Sequence, residues 1–429
     1  MRLGGRLAGA IEVLADIEGR RRPVADALKD WGLAHRFAGS GDRAAIGNIV
    51  YDALRMKLSH AWLMEDDSAN ALGYAVMLRQ WGKSLEQLAA EFDGDKFAPA
   101  ALSDDAIKAF TTRALTDAPL HIQGDIPEWV QASFEAAFGE RWLEEAKALN
   151  ERPTLDLRAN TLKATREKVL KALEESGAEA TRIARQGVRI AAGEGPSRLP
   201  NVTAELSFQK GWFEVQDEGS QIVADLAGAQ ESEQVLDYCA GGGGKTLAMA
   251  ASMNNKGQVH AFDADRKRLA PIIERLKRAG TRNVQVHDRA SGLAPFTEKF
   301  DRVLVDAPCT GTGTWRRRPD TKWRLTQRNL EERVGQQAEA LDQAKVFVRP
   351  GGELLYVTCS VLPEENERQV RRFCDENPEF SMGSAVARWT SVFGAQARKP
   401  HSADNETVTL TPATTDTDGF FFSVMKRKQ

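Results

Sequence analysis

Two cysteines close apolar runs in this chain: Cys309 in VLVDAPCTGTG, residues 303–313, and Cys359 in LYVTCS. Only four cysteines occur among 429 residues, and a lone one usually reads as a small buried hydrophobe. That bland reading suits Cys374, inside the helical pattern ERQVRRFCDEN. It explains less well two thiols at run ends, where a thiolate could act as a nucleophile. Upstream, QVLDYC leads straight into AGGGGKT, and consecutive glycines between a strand and a helix let backbone N–H groups approach a ligand. Acids close three further runs: Asp263, Asp288 and Asp306. Asp263 lies 20 residues beyond Gly243, about where a carboxylate meets ribose hydroxyls in nucleotide-binding sheets. Each acid alone reads as a helix cap or turn former. Three of them with a glycine loop point to nucleoside binding.

The loop by itself is a weak signal. A Walker A loop is matched at Gly244, Lys245 and Thr246, but Cys239 takes the place of its first glycine. The dinucleotide fingerprint, counted from Gly241 and Gly243, ends on Thr246 instead of glycine. There is no CxxC pair and no histidine spacing suited to zinc, so neither a disulfide framework nor a metal site is expected.

These residues require a scaffold. From about residue 233, QVLDYC, GQVHAFD, NVQVHD, DRVLVDAPC and GELLYVTCS alternate with helical patterns, which predicts a parallel sheet covered on both faces, with ligands at the strands' carboxyl ends. Residues 1 to about 125 read as helix after helix, with Ile46, Ile49, Val50, Leu54, Leu58 and Trp62 near the helical period. DAPLHIQGDIPEWV, with two prolines and a glycine, is a candidate linker. TLDLRANTL, REKVLKALEESG and EATRIARQGVRI suggest a small strand–helix–strand unit. The expected domains are therefore 1–125, all helical; 126–230, a linker helix and small α+β subdomain; and 231–429, the sheet domain.

Composition sets outer limits. With 42% apolar and 28% charged residues the chain is an ordinary folded protein. No apolar run reaches the roughly 18 residues of a membrane span, and Glu12, Asp16 and Glu18 interrupt the Arg-rich amino terminus, arguing against a transit peptide. A cytoplasmic protein without membrane contact is expected. A net charge of −3 gives no global pull on nucleic acid. Basic clusters nevertheless occur in GRRRP (19–23), ERLKRAGTR (274–282), WRRRPDTKWR (315–324) and the terminal MKRKQ. Such runs are mostly solvated faces. The third stands out because it follows Cys309 and carries Trp315 and Trp323, which could stack on bases.

LDYCAGGGGKT, AFDAD, VLVDAPCTGTG, LLYVTCSVLPEENE and TDGFFFSVMKRK resemble, in order, the motifs of the RsmB/NOP2/Sun family of RNA cytosine-5 methyltransferases. LRANTLK and EVQDEGSQ are similar to segments preceding that family's catalytic domain, so the likeness covers roughly residues 150 to 429. The helical amino-terminal part, mainly through DRAAIGNIVYDALR, is similar to the NusB-like RNA-binding domain of bacterial RsmB-type members. The resemblance implies an α/β fold: a class I, Rossmann-like methyltransferase domain whose last strand, GFFFSVMKR, inserts antiparallel, preceded by an all-α NusB-like domain and a small α+β subdomain. S-adenosylmethionine would be the cofactor. Cys239, Ala240, Gly241, Gly242, Gly243, Gly244 and Lys245 would hold its methionine end, Asp263 the ribose and Asp288 the adenine region, with Asp306 at the edge of the active site.

Cytosine C5 is too poor a nucleophile to take a methyl group unaided, so covalent catalysis is needed. The chemistry leaves open which thiol attacks C6. The resemblance implies Cys359, with Cys309 assisting base removal and product release. Pro308 is expected to fix the backbone so that Cys309 meets the target base opposite Cys359, and Asp306 to hydrogen-bond the N3 or N4 edge. The family loop usually reads Ala-Pro-Gly-Gly, whereas glycine stands here at 241, and a free φ replaces a fixed one. The implied substrate is RNA, with a cytidine of 16S ribosomal RNA foremost and transfer RNA open. Rival readings are a P-loop NTPase, suggested by GGKT, and a non-catalytic RNA-binding assembly factor, suggested by the altered loop.

Overall fold

The computed structural model describes residues 1–429. The chain divides into two compact units: Met1–Pro153 with Ala192–Leu199 and Trp315–Leu325, and Thr154–Ala191 with Pro200–Thr314 and Thr326–Gln429. The first unit runs on past residue 125 to Pro153. Helices Gln131–Phe138 and Trp142–Ala148 stay with the amino-terminal helices, and an eleven-residue segment from the far side of Cys309 joins them.

The first unit is helical. Helices Leu3–Arg20, Ser40–Arg55 and Ala69–Arg79 bury Leu7, Ile46, Ile49, Val50 and Met77 completely in one core. The periodic stretch from Ile46 to Trp62 is two helices, because Ser40–Arg55 ends at Met56 and Lys57–Met64 starts anew. The buried carboxylate of Asp125 accepts the Ser59 N–H at 2.9 Å, capping the second helix from outside it. The stretch DAPLHIQGDIPEWV, expected as a linker, carries helix Leu120–Gln123 and the buried Asp125, and Asn150 donates to the Gly124 carbonyl at 2.8 Å.

The second unit holds two sheets. The smaller joins β1 (Leu155–Ala159), β2 (Ala178–Ala180), β3 (Gly187–Ile190) and β4 (Phe213–Val215) antiparallel, in the order β2-β3-β1-β4. The larger contains β5 (Gln234–Asp237), β6 (Gln258–Phe262), β7 (Val284–His287), β8 (Phe300–Asp306), β9 (Val348–Thr358), β10 (Phe380–Met382), β11 (Thr407–Leu410) and β12 (Phe420–Arg427). Its order is β10-β12-β9-β8-β5-β6-β7, with β11 beside β12. Strands β5 to β9 pair in parallel, and β12 enters antiparallel against β9, as expected of the final motif.

The apolar runs are nearly continuous because both faces are covered. Val235, Leu304, Leu355 and Phe422 enter one core, and their neighbours Leu236, Val303, Leu354 and Phe421 enter the other. The chain proceeds from β5 outward to β7, then returns to place β8 on the other side of β5. This reversal opens a crevice at the carboxyl ends of β5 and β8, the usual ligand position in open α/β sheets.

Candidate active site

Cys309 and Cys359 follow adjacent parallel strands, with Asp306 of β8 opposite Val357 of β9. Their half-buried sulfurs lie 3.3 Å apart. The loop after β8 is held by a buried carboxylate: Glu365 accepts the Thr310 N–H at 2.8 Å, the Thr310 hydroxyl, and Gln337 Nε2 at 2.9 Å. The same Gln337 nitrogen donates to the Pro308 carbonyl at 3.0 Å, so Pro308 is tied down as well as rigid. The loop after β9 is fixed in turn. Gly313 N–H donates to the Cys359 carbonyl at 3.0 Å, and Asn366 bonds both Thr358 Oγ1 at 2.6 Å and the Ser360 carbonyl at 2.9 Å.

Gly313 meets a second glycine. The Gly419 N–H donates to the Gly313 carbonyl at 2.8 Å, and a Cβ on Gly313 would stand 2.3 Å from the Gly419 oxygen. The CTGTG and TDGF motifs thus share one backbone crossing, which explains glycine in both.

The bond to Cys359, then burial, then the charges of Cys359 and Glu365 push the Cys309 thiol well above the ordinary cysteine value. Cys309 therefore keeps its proton and can donate it towards the Cys359 sulfur. Lys245, on the first turn of helix Gly244–Ser252, donates to Asp306 Oδ2 at 2.7 Å. Burial disfavours its charge, but Asp306, Asp237 and Cys359 outweigh that and hold the ammonium above the usual lysine value. Lys245 thereby couples the glycine loop to Asp306 at the carboxyl end of β8, a connection the sequence reading missed. A lysine pointing at a run-end acid was its only signal.

In the glycine loop, Ala240 N–H donates to the Phe262 carbonyl at 2.9 Å and Gly241 N–H to Asp263 Oδ2 at 2.8 Å. Gly241 has φ +50° and Gly243 φ +81°. Asp263 is buried, with Oδ1 accepting the Asp265 N–H at 2.8 Å, and each oxygen keeps a further lone pair. Burial and nearby Asp263, Asp306 and Asp237 drive the Cys239 thiol upward, favouring its protonated form. Asp288 ends β7 in the open, 73% exposed, with Arg266 at 3.9 Å. Asp237, beneath the loop, accepts the Thr246 hydroxyl at 2.6 Å, and burial foremost raises its carboxyl to about 7.

The base-stacking role expected of residues 315–324 is overturned. Trp315 is 1% exposed and stacks on Phe134, Arg316 is buried, and Trp323 Nε1 donates to the Leu54 carbonyl at 2.7 Å. Arg275 and Arg278 of ERLKRAGTR are likewise engaged internally, both on Glu214.

A ribosomal RNA small subunit methyltransferase B of Cronobacter sakazakii is 34% identical over 360 residues, spanning 82% of this chain and 72% of that protein. The chain belongs to the RsmB/F methyltransferase family. Residues 225–426 match the family described as 16S rRNA methyltransferase RsmB/F, and residues 126–194 match its ferredoxin-like domain. Among solved structures, PH0851 aligns over the whole of both chains with TM-score 0.75 and 24% identity. NSun6 from Pyrococcus horikoshii, crystallised with SFG, aligns over 71% of this chain and 98% of its own, with TM-score 0.61 and 22% identity. These two likenesses concern the fold. They agree with the class I methyltransferase sheet, and family membership removes the NTPase reading.

The RsmB/F cofactor is S-adenosylmethionine, and the residues present fit it. The side-chain-free cradle of residues 241–244 and the lysine on its helix suit an amino-acid end, and buried Asp263 suits a ribose.

Proposed function

We propose that this RsmB/F member methylates C5 of a cytidine in 16S ribosomal RNA, with Cys359 as nucleophile. S-adenosylmethionine supplies an electrophilic methyl on sulfonium. The Cys359 sulfur adds to C6 of the ring, which makes C5 electron-rich enough to accept the methyl group. The C5 proton then leaves to a base, the Cys359–C6 bond breaks, and the ring regains its double bond. Cys309, protonated beside the nucleophile, hydrogen-bonds the Cys359 sulfur as it departs. Asp306, with Oδ2 on Lys245 and its side chain 31% exposed, takes the amino edge of the cytosine. The target base must leave its stack to reach half-buried thiols.

The observation carrying this reading is the 3.3 Å approach of two cysteine sulfurs at the ends of neighbouring parallel strands. Ribosomal RNA as substrate rests on the relative's name and the family description, and the helical first unit is its proposed RNA-binding domain.

The test is methylation of 16S ribosomal RNA with labelled S-adenosylmethionine, followed on denaturing gels and by bisulfite sequencing. Cys359→Ala should abolish transfer without an adduct. Cys309→Ala should accumulate covalent protein–RNA complex. Full turnover by Cys359→Ala would sink the assignment, and label confined to transfer RNA would move the substrate there.

A further inference from the structure

Residues 241–244 are four glycines, and glycine loses more backbone freedom on ordering than any other residue. A ligand bound by such a loop must order it, unless the protein has already done so. The bonds of Gly241 to Asp263 and of Ala240 to Phe262 fix the loop's beginning. Its middle is held by a side chain from elsewhere. Arg275, in helix Ile272–Ala279, donates from Nη1 to the Gly242 carbonyl at 2.6 Å. The next N–H on the same peptide plane, that of Gly243, donates to the Ala240 carbonyl at 2.8 Å. One plane is thus pinned at both ends.

The arginine is itself immobilised. Its Nε and Nη2 lie 3.1 and 3.0 Å from Glu214 Oε2 on β4. The Glu214 side chain is 3% exposed and also takes Arg278 Nη2, at 2.6 and 2.8 Å from its two oxygens. A planar guanidinium bonded on two edges has one orientation. Space is limited too, since a Cβ on Gly242 would meet Arg275 Nη1 at 3.2 Å.

We propose that Arg275, anchored by Glu214 of the small sheet, is a positioning residue for the cofactor loop: it holds the Gly242–Gly243 peptide in the form that receives S-adenosylmethionine. The inference rests on the cofactor binding at this loop. It gives the small sheet a part in cofactor binding through a carboxylate that touches no ligand.

The experiment uses the full chain with S-adenosylmethionine as probe, reading calorimetric affinity, melting temperature and amide hydrogen exchange. Arg275→Ala should weaken cofactor binding about tenfold, in the range of a lost charge-assisted hydrogen bond. It should also accelerate exchange at residues 241–244 in the ligand-free protein. The melting temperature should stay near that of the unaltered chain, because Arg278 remains on Glu214. KM for the cofactor should rise with kcat at saturation little changed. Arg275→Lys, which keeps the charge without the fork, should fall between, and it decides the question if the alanine variant does not fold. Unaltered affinity and exchange in the lysine and alanine variants would overturn the proposal. So would a loss of affinity matched by an equally general loss of protection across the sheet. An unaltered chain that binds no S-adenosylmethionine would instead remove the cofactor assignment, while the exchange measurement would still report the brace.

Discussion

At the scale of single residues, the site is a set of charges whose protonation depends on one another. Asp237 lies beneath the glycine loop with its carboxyl raised to about 7 by burial and by Asp306 and Asp263, against the opposing pull of Thr246 and Lys245. An acid whose folded value lies above its unfolded value of about 4 binds protons more tightly when folded, so its contribution fades as pH climbs from about 4 to about 7. Asp237→Asn keeps an oxygen for Thr246 and should gain melting temperature relative to the unaltered chain as pH rises through that window. A difference independent of pH would contradict this account. The comparison must be variant against parent, because His260, pushed down to about 4 by burial and by His287, titrates with opposite effect over an overlapping range. Lys245→Met removes the ammonium shared by Asp306 and Cys359 and should slow single-turnover methyl transfer by about a hundredfold, the usual scale for a lost preorganised donor. Retained rate would show that the lysine serves the cofactor loop alone.

At the scale of elements, precision comes from backbone contacts. Gly313→Ala would push its new carbon into Gly419 and shift the loop that carries Cys309, so methyl transfer should fall by about a hundredfold, the scale of a small misplacement of reacting groups. Gly335→Ala is the control. Gly335 is exposed in helix Gln327–Ala344 with open space around it, so alanine should stabilise by about 0.5–1 kcal/mol and leave transfer rates unchanged. Equal effects of both substitutions would refute the glycine-crossing argument. Strands β5, β6, β8, β9 and β12 were legible because burial on both faces leaves nearly continuous apolar runs, and edge strand β7 through its alternation; the run-end acids and cysteines marked carboxyl ends. The short β10 and β11, at and off the sheet's margin, carry too few residues for a pattern. The break at Met56 could not be read locally, since Asp125, which accepts the Ser59 N–H at the start of the new helix, sits far along the chain.

At the scale of the whole molecule, the sequence misled where charge suggested exposure. WRRRPDTKWR looks the same whether it faces solvent or closes a core. The partners that bury it, Phe134, Leu54 and Asn150, are remote in sequence. Lys322 donates to Asn150 Oδ1 at 2.6 Å and to the Arg55 carbonyl at 3.0 Å, and burial takes its ammonium down to about 7. Trp315→Ala should therefore destabilise the helical unit by about 3–5 kcal/mol, the range for emptying a large aromatic site, measured by urea unfolding. A change under about 0.5 kcal/mol, as at an ordinary surface position, would restore the exposed reading.

That buried segment, residues 315–325, also orders events during synthesis. Domains generally fold as units during synthesis, the amino-terminal one first. Here Trp323, which bonds the Leu54 carbonyl, and Trp315, which stacks on Phe134, are translated long after the helices they contact. Those contacts can therefore form only once the cofactor loop and Cys309 have been made, late in the birth of the chain.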